Sequence, residues 1–367
     1  MLTRPFHEFR ARLCQSAGKK GSLLRVMFEL TYRCNFRCPH CYVPLSYRKR
    51  KELKTKEVFS ILEQLKGLGC LYLGFTGGEP FIRKDILKIL RYAGRCGFEI
   101  IIHTNGSLFD GKMAKTLAGL RLNKVDVTIP AMNEAAFGEI TGVAGAYRKA
   151  FRAVELLNKY KVPLGFKTCV LRENQDQIKA IQDFATSLGA SPRLDDLLWP
   201  RLNGSSAPYR FRGIFEEETV MRNASHVARN TSHLDKLDTC CAIPDTRSLF
   251  KCGVGQTQAA ITPQGELKPC LMIDYPRYKI LNRVARNAYH VSRITSHVRR
   301  YSVKTAWESL KEFVATIKPD KNYKCLQCNL QPFCRWCPAR AWLYKRSFTS
   351  CDPQSLRDAK RKAGRWK

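Results

Sequence analysis

Apolar and polar positions along the first half of the chain follow two alternating periods. Short apolar runs at Val26–Leu30, Leu71–Thr76, Glu99–Thr104, Lys124–Pro130 and Pro163–Leu171 predict strands, and Leu194–Trp199 predicts a weaker sixth. Between them apolar residues recur at helical spacing over Lys56–Leu68, Lys84–Cys96, Lys112–Leu120, Tyr147–Tyr160 and Gln175–Leu188. Thr55 stands where a helix cap belongs, and Gly67 and Gly69 break that helix at its far end. Such a strand–helix rhythm implies an α/β fold, a parallel sheet with covering helices. About six units fit before residue 200, fewer than the eight of a closed barrel.

The rhythm breaks at Pro200–Arg212, which reads as a linker. Beyond it the pattern predicts a helix over Glu216–Asn230, a hairpin over Gln258–Leu271 turning at Pro263–Gly265, and an amphipathic helix over Ser302–Ile317. The basic tail Arg357–Lys367 is expected to fray. With 367 residues, 44% of them hydrophobic, the chain has enough apolar material for a sizeable core, which excludes global disorder. No apolar run reaches the roughly 18 residues of a membrane span, and the first residues lack the apolar segment of a secretory signal. The expected compartment is the cytoplasm.

Sixteen cysteines change the picture. Disulfide scaffolds suit small secreted chains, whereas short Cys-x-x-Cys spacings without an export signal point to metal or iron–sulfur sites. Directly after the first strand comes Cys34-Asn-Phe-Arg-Cys38-Pro-His-Cys41-Tyr42, three thiols on one loop at the end where parallel barrels build active sites. Three thiolates suit an iron–sulfur cube with one open iron; zinc, with His40 as fourth ligand, stays open on spacing alone. The second strand ends Gly77-Gly78-Glu79-Pro80, where the glycines permit close approach to the backbone.

The two motifs together resemble those of the radical S-adenosylmethionine (SAM) superfamily, over about residues 24–200. The resemblance implies a partial (β/α)6 TIM-like barrel. It implies that Cys34, Cys38 and Cys41 hold a 4Fe–4S cluster whose open iron is chelated by SAM. Gly77, Gly78 and Glu79 would then contact the methionine end of SAM, Tyr42 would lie by the adenine, and Asn105 and Thr128 would stand at cofactor positions. The implied chemistry is one-electron cleavage of SAM to a 5′-deoxyadenosyl radical that abstracts hydrogen, fed by a low-potential donor of flavodoxin or ferredoxin type.

In the C-terminal third, Cys252 is followed by Gly265 and Cys270, then Cys325-x2-Cys328-x5-Cys334-x2-Cys337 and Cys351. Two Cys-x2-Cys pairs also suit one zinc ribbon, which would leave Cys252, Cys270 and Cys351 without a role. The spacing resembles the SPASM module, a small Cys-rich α+β domain with two auxiliary 4Fe–4S clusters, departing from it by one residue between Cys334 and Cys337. The stretch Trp199–Ser205 resembles the bridge in front of such modules. The resemblance implies one cluster on Cys325, Cys328, Cys334 and Cys351, and another on Cys252, Cys270 and Cys337 with an upstream ligand, Cys241 or its neighbour Cys240. Three clusters are expected in all. The expected division is an N-terminal extension (1–23), barrel (24–200), linker and helix (201–238), SPASM domain (239–354) and basic tail (355–367). Cys14, Cys70, Cys96 and Cys169 read as free core thiols.

The formal charge of +33, from 64 Lys+Arg against 31 Asp+Glu, concerns partners rather than fold. The segment Tyr275–Trp307 has no acidic residue and eight basic ones, so it suits either an acidic peptide or an ordinary solvated surface. No nucleic-acid module is recognisable, so nucleic acid is not the expected partner. Asp274 is the candidate base near the clusters. Leu271 stands where a sulfatase-type maturase is expected to carry aspartate, which argues against that activity. The preferred expectation is oxidative modification of a ribosomally made peptide or protein side chain. Few residues precede the first strand, so a leader peptide would need a separate docking protein or the SPASM surface. The alternatives are radical modification of a tetrapyrrole-type cofactor and a non-catalytic metal protein that binds nucleic acid.

Overall fold

The structure, a computed structural model, describes residues 6–120, 122–213, 249–250, 252–281, 301–321 and 323–365. The expected helix at Glu216–Asn230, Cys240, Cys241 and most of the basic stretch after Tyr275 lie outside the described residues.

Helix α1 (Phe6–Lys20) comes first, and its Cys14 and Ala17 pack with Leu24 and Tyr72. Then β1 (Arg25–Thr31), α2 (Thr55–Gly67), β2 (Tyr72–Gly77), α3 (Ile86–Arg95), β3 (Glu99–Thr104), α4 (Gly111–Ala118) and β4 (Leu122–Thr128) alternate. They are followed by α5 (Glu134–Thr141), α6 (Ala146–Lys159), β5 (Leu164–Cys169), α7 (Ile178–Ser187) and β6 (Ser191–Asp195). These six strands pair in parallel and in sequence order, forming the α/β partial barrel. Alternate residues such as Val26, Phe28, Ile100, Ile102, Val125 and Val127 are buried in the main core.

Beyond the barrel come β7 (Gln258–Ile261), β8 (Glu266–Lys268) and β9 (Tyr278–Lys279), then α8 (Val303–Thr316), α9 (Pro338–Lys345) and α10 (Pro353–Arg365). The predicted hairpin is β7–β8, with Gly265 at φ +78° in the turn. It is not separate from the barrel. β7 pairs in parallel with β1, so nine strands run in the order β6-β5-β4-β3-β2-β1-β7-β8-β9. The amphipathic reading of α8 holds: Ser302 caps it, and Val303, Ala306, Trp307, Leu310 and Val314 form its buried stripe.

Three expectations need correction. The sixth strand is Ser191–Asp195 rather than 194–199, because pairing with β5 runs from Gly165↔Ser191 to Cys169↔Asp195. Helix α5 was not predicted; Asn133 caps its start and Gly142, at φ +67°, ends it. The tail does not fray over its described length: α10 is held by an Arg212–Asp358 ion pair (2.7 Å) and by the buried Ala359.

Candidate active site

The loop leaving β1 carries Cys34, Cys38 and Cys41 as free, partly buried thiols. Neighbouring elements fix its path. Arg48 donates to the carbonyls of Cys34 (3.0 Å) and Phe36 (2.9 Å). The carbonyl of Thr141, at the end of α5, accepts from the Arg37 N–H (2.8 Å). From the expected linker, Arg201 donates to the Pro39 carbonyl (3.2 Å) and Leu202 N–H to that of Tyr42 (2.9 Å). Burial pushes the Cys34 thiol up to about 11 and raises Cys38 and Cys41 as well; the charges of Cys41 and Cys34 both reach Cys38. His40 is kept neutral by burial, its pKa lowered to about 4.

Gly77 and Gly78 seat the end of β2 against the root of this loop. A Cβ on Gly77 would lie 2.1 Å from the Thr31 carbonyl oxygen, and one on Gly78 2.2 Å from that of Arg33. The N–H groups of Gly78 and Glu79 donate to those same carbonyls at 2.7 and 2.8 Å. The Glu79 carboxyl group is fully buried and accepts from Phe81 N–H (3.0 Å), the Thr104 hydroxyl (2.8 Å) and Asn105 N–H (2.7 Å). Its side chain braces the end of β2 to β3.

Asn105 reaches the cysteine loop. Its Nδ2 donates to Asn35 Oδ1 (2.9 Å) and lies 3.9 Å from Cys34 Sγ. Thr128 is partly buried at the end of β4, in register with Lys167. Cys169 packs against the main core, as read from sequence, and also borders this site. It ends β5, and its thiol, raised to about 11 by burial and by Asp195, also feels the charge of Cys41. Gly165, Lys167 and Cys169 share one face of β5, a parity that points to the lumen once the register is known. Cys14 and Cys70 are core thiols, as expected.

Below the loop lies a buried polar network. Tyr42 and Tyr32 donate to the two oxygens of Glu29 on β1, each at 3.2 Å. Lys268 on β8 meets Glu29 at 3.0 Å, and neither has any exposure. Lys268 is also 3.8 Å from Asp274. Asp274 further meets Tyr47 (2.8 Å), Arg277 (3.7 Å) and Arg50 (4.0 Å). Asp274, the expected base, thus lies in a cage of three basic side chains and a phenol that hold it in place.

The C-terminal thiols fall into two groups. Burial raises Cys270 to about 12, with Cys337 and Cys252 adding to the rise, and burial and Cys252 raise Cys337 to about 11. Cys334 instead feels Cys351 and Cys328, and Cys351 feels Cys328. Cys334 and Cys337, close in sequence, thus feel different neighbouring thiols. Cys252, Cys325, Cys328, Cys334, Cys337 and Cys351 all line one cavity of about 480 Å³.

The donor set fits iron–sulfur groups. None of these thiols is in a disulfide, and Phe36 N–H (3.4 Å) and Asn105 stand by the Cys34 sulfur, the kind of hydrogen bonding that tunes clusters. Among the described residues no three His, Cys, Asp or Glu side chains converge on a point, as ligands of a single ion do. A cube, which takes one thiolate per iron, does not need that convergence. No helix among the described residues is long and apolar enough to cross a membrane.

Comparison with known proteins agrees with this geometry. The model of the Radical SAM superfamily matches residues 28–185. An AdoMet-dependent heme synthase of Methanosarcina barkeri (strain Fusaro / DSM 804) is 22% identical over 351 residues, covering 90% of this chain and 95% of its own. A PqqA peptide cyclase of Gluconobacter oxydans (strain 621H) is 28% identical over 258 residues, covering 67% and 70%. The crystal structure of Streptococcus suis SuiB bound to precursor peptide SuiA superposes with a TM-score of 0.63 at 18% identity, covering 97% of this chain and 82% of that one. Residues 28–185 thus match a radical SAM superfamily domain, a family whose members bind S-adenosylmethionine and a 4Fe–4S cluster.

Proposed function

We propose that this radical SAM enzyme also holds two auxiliary 4Fe–4S clusters in a SPASM-type C-terminal module and oxidatively modifies a side chain of a ribosomally made peptide or small protein. The observation that carries the reading is the separation of Cys334 from Cys337 into two groups of thiols around one cavity. Cys325, Cys328, Cys334 and Cys351 would hold one auxiliary cluster. Cys252, Cys270 and Cys337 would hold the other, with Cys241 or Cys240 the candidate fourth ligand.

When bound, the first cluster and SAM supply one-electron cleavage of a carbon–sulfur bond and hydrogen abstraction from carbon. The chain contributes placement. Cys34, Cys38 and Cys41 hold the cluster on a loop pinned by Arg48, Thr141 and Arg201. Glu79 fixes the ends of β2 and β3, and with them the backbone of Gly77–Glu79 and Asn105 beside that loop. Tyr42, whose hydroxyl donates to Glu29, and Thr128 would stand at cofactor positions. The low-potential donor would be of flavodoxin or ferredoxin type and the compartment the cytoplasm. The peptide cyclase and the peptide-bound SuiB support a peptide substrate. A second reading, modification of a tetrapyrrole, is favoured by the heme synthase, whose similarity covers most of both chains.

Anaerobic protein tests both levels. About twelve irons per chain are expected, about eight in Cys34→Ala/Cys38→Ala/Cys41→Ala, and 5′-deoxyadenosine only from wild type with SAM and dithionite. Faster 5′-deoxyadenosine formation with candidate peptides supports the first reading, and with an iron porphyrin the second. Zinc throughout and no 5′-deoxyadenosine would refute both and favour a non-catalytic metal protein.

A further inference from the structure

The Glu29–Lys268 pair asks for an explanation that stability does not give. Both side chains are fully buried, on strands separated in the sheet by β7. Taking two ions out of water costs several kcal/mol each, which is why such pairs are weak stabilisers, and apolar side chains of the same volume often serve as well. What distinguishes this pair is its position. The Glu29 Oε1 accepts from the hydroxyl of Tyr42, the residue directly after Cys41. Lys268 Nζ donates to the carbonyl of Leu271 (3.1 Å), the residue directly after Cys270. The charges of Cys41 and Cys270 both reach Tyr42, and that of Lys268 reaches Cys270. One hydrogen-bonded line thus runs from Tyr42, next to Cys41, to the carbonyl of Leu271, next to Cys270.

We propose that Lys268 and Glu29 are positioning residues that set the reduction potential of the cluster held by Cys252, Cys270 and Cys337. The proposal rests on the auxiliary-cluster reading above. Reduction of such a cluster adds one electron and no proton, so its negative charge grows by one. A buried cation beside Cys270 stabilises the reduced form and raises the potential. Glu29 opposes it by neutralising that cation. Arg50, Arg277 and Asp274 lie on the partly exposed side of the cage, where solvent screens them more. The fully buried pair therefore carries most of the leverage.

The test is a dithionite titration of the anaerobic holoenzyme followed by electron paramagnetic resonance. Cys270→Ser identifies the signal that belongs to this cluster. Lys268→Met is expected to move its midpoint to more negative values and Glu29→Gln to more positive ones. The double variant, which removes both charges, is expected to return close to wild type. A merely structural pair would move both single variants in the same direction or neither, and either result overturns the proposal. Glu29→Gln preserves volume and removes only the charge-bearing carboxylate, so it decides the sign even where Lys268→Met does not fold. Iron content keeps the two levels apart. If Cys270→Ser loses no iron, the auxiliary-cluster reading falls and this proposal with it; if iron is lost and the midpoints do not move in opposite directions, this proposal alone falls.

Discussion

Glu79 shows how much one buried carboxyl group can organise. Burial raises its pKa to about 7, against the pull of the three donors that it accepts from. A folded pKa above the unfolded value means that the group stabilises the fold most when protonated. That contribution is complete below about pH 4.5 and declines as the pH rises towards 7. In Glu79→Gln this part of the slope is expected to vanish, so the stability difference between wild type and variant should change across that window. The amide cannot accept from all three donors, and one unsatisfied buried group costs about 1–3 kcal/mol. Chemical denaturation of both proteins at several pH values checks this, and parallel profiles would contradict it. Glu79 was legible in the sequence as part of a motif, but not as a brace, because its partners Thr104 and Asn105 lie a full strand–helix–strand unit away.

Among the elements, α5 was the one the sequence hid. It is eight residues long, EAAFGEIT, with too few turns for a helical stripe to stand out from its surroundings. Yet its end holds the cysteine loop. Gly142 has φ +67°, and a Cβ there would come within 3.1 Å of both the Cβ and the carbonyl oxygen of Arg37. Gly142→Ala is expected to cost about 1–2 kcal/mol in backbone strain alone. It is also expected to lower iron retention at the first site without affecting iron bound elsewhere in the chain. Iron analysis of the variant alongside the triple cysteine variant measures this, and unchanged iron would refute it. The strands and cysteine motifs were readable because their chemistry demands particular residues at fixed spacings. The lumen-facing position of Cys169 was not, because a strand's inward face depends on register, and β6 began earlier than its apolar residues suggested. The Glu29–Lys268 contact was hidden for a related reason: it spans a strand that joins the sheet from much later in the chain.

At the scale of the molecule, the C-terminal module is not an appendage. Its first strand is hydrogen-bonded to β1 from Arg25↔Gln258 to Phe28↔Ile261, beside the strand whose end launches the cysteine loop. The sequence suggested two domains joined by a linker, whereas the sheet crosses that division, and the linker's Arg201 and Leu202 grip the first site. The pairing also has a consequence for solubility. An unpaired β1 would offer a row of bare N–H and C=O groups, a template for pairing with another chain. A chain ending at residue 213 is therefore expected to form dimers or larger aggregates by light scattering, where the full chain does not, and a stable monomer would contradict this. β7 acts as an edge guard, so the first half of the molecule depends on the second to stay in solution, quite apart from any electrons that pass between them.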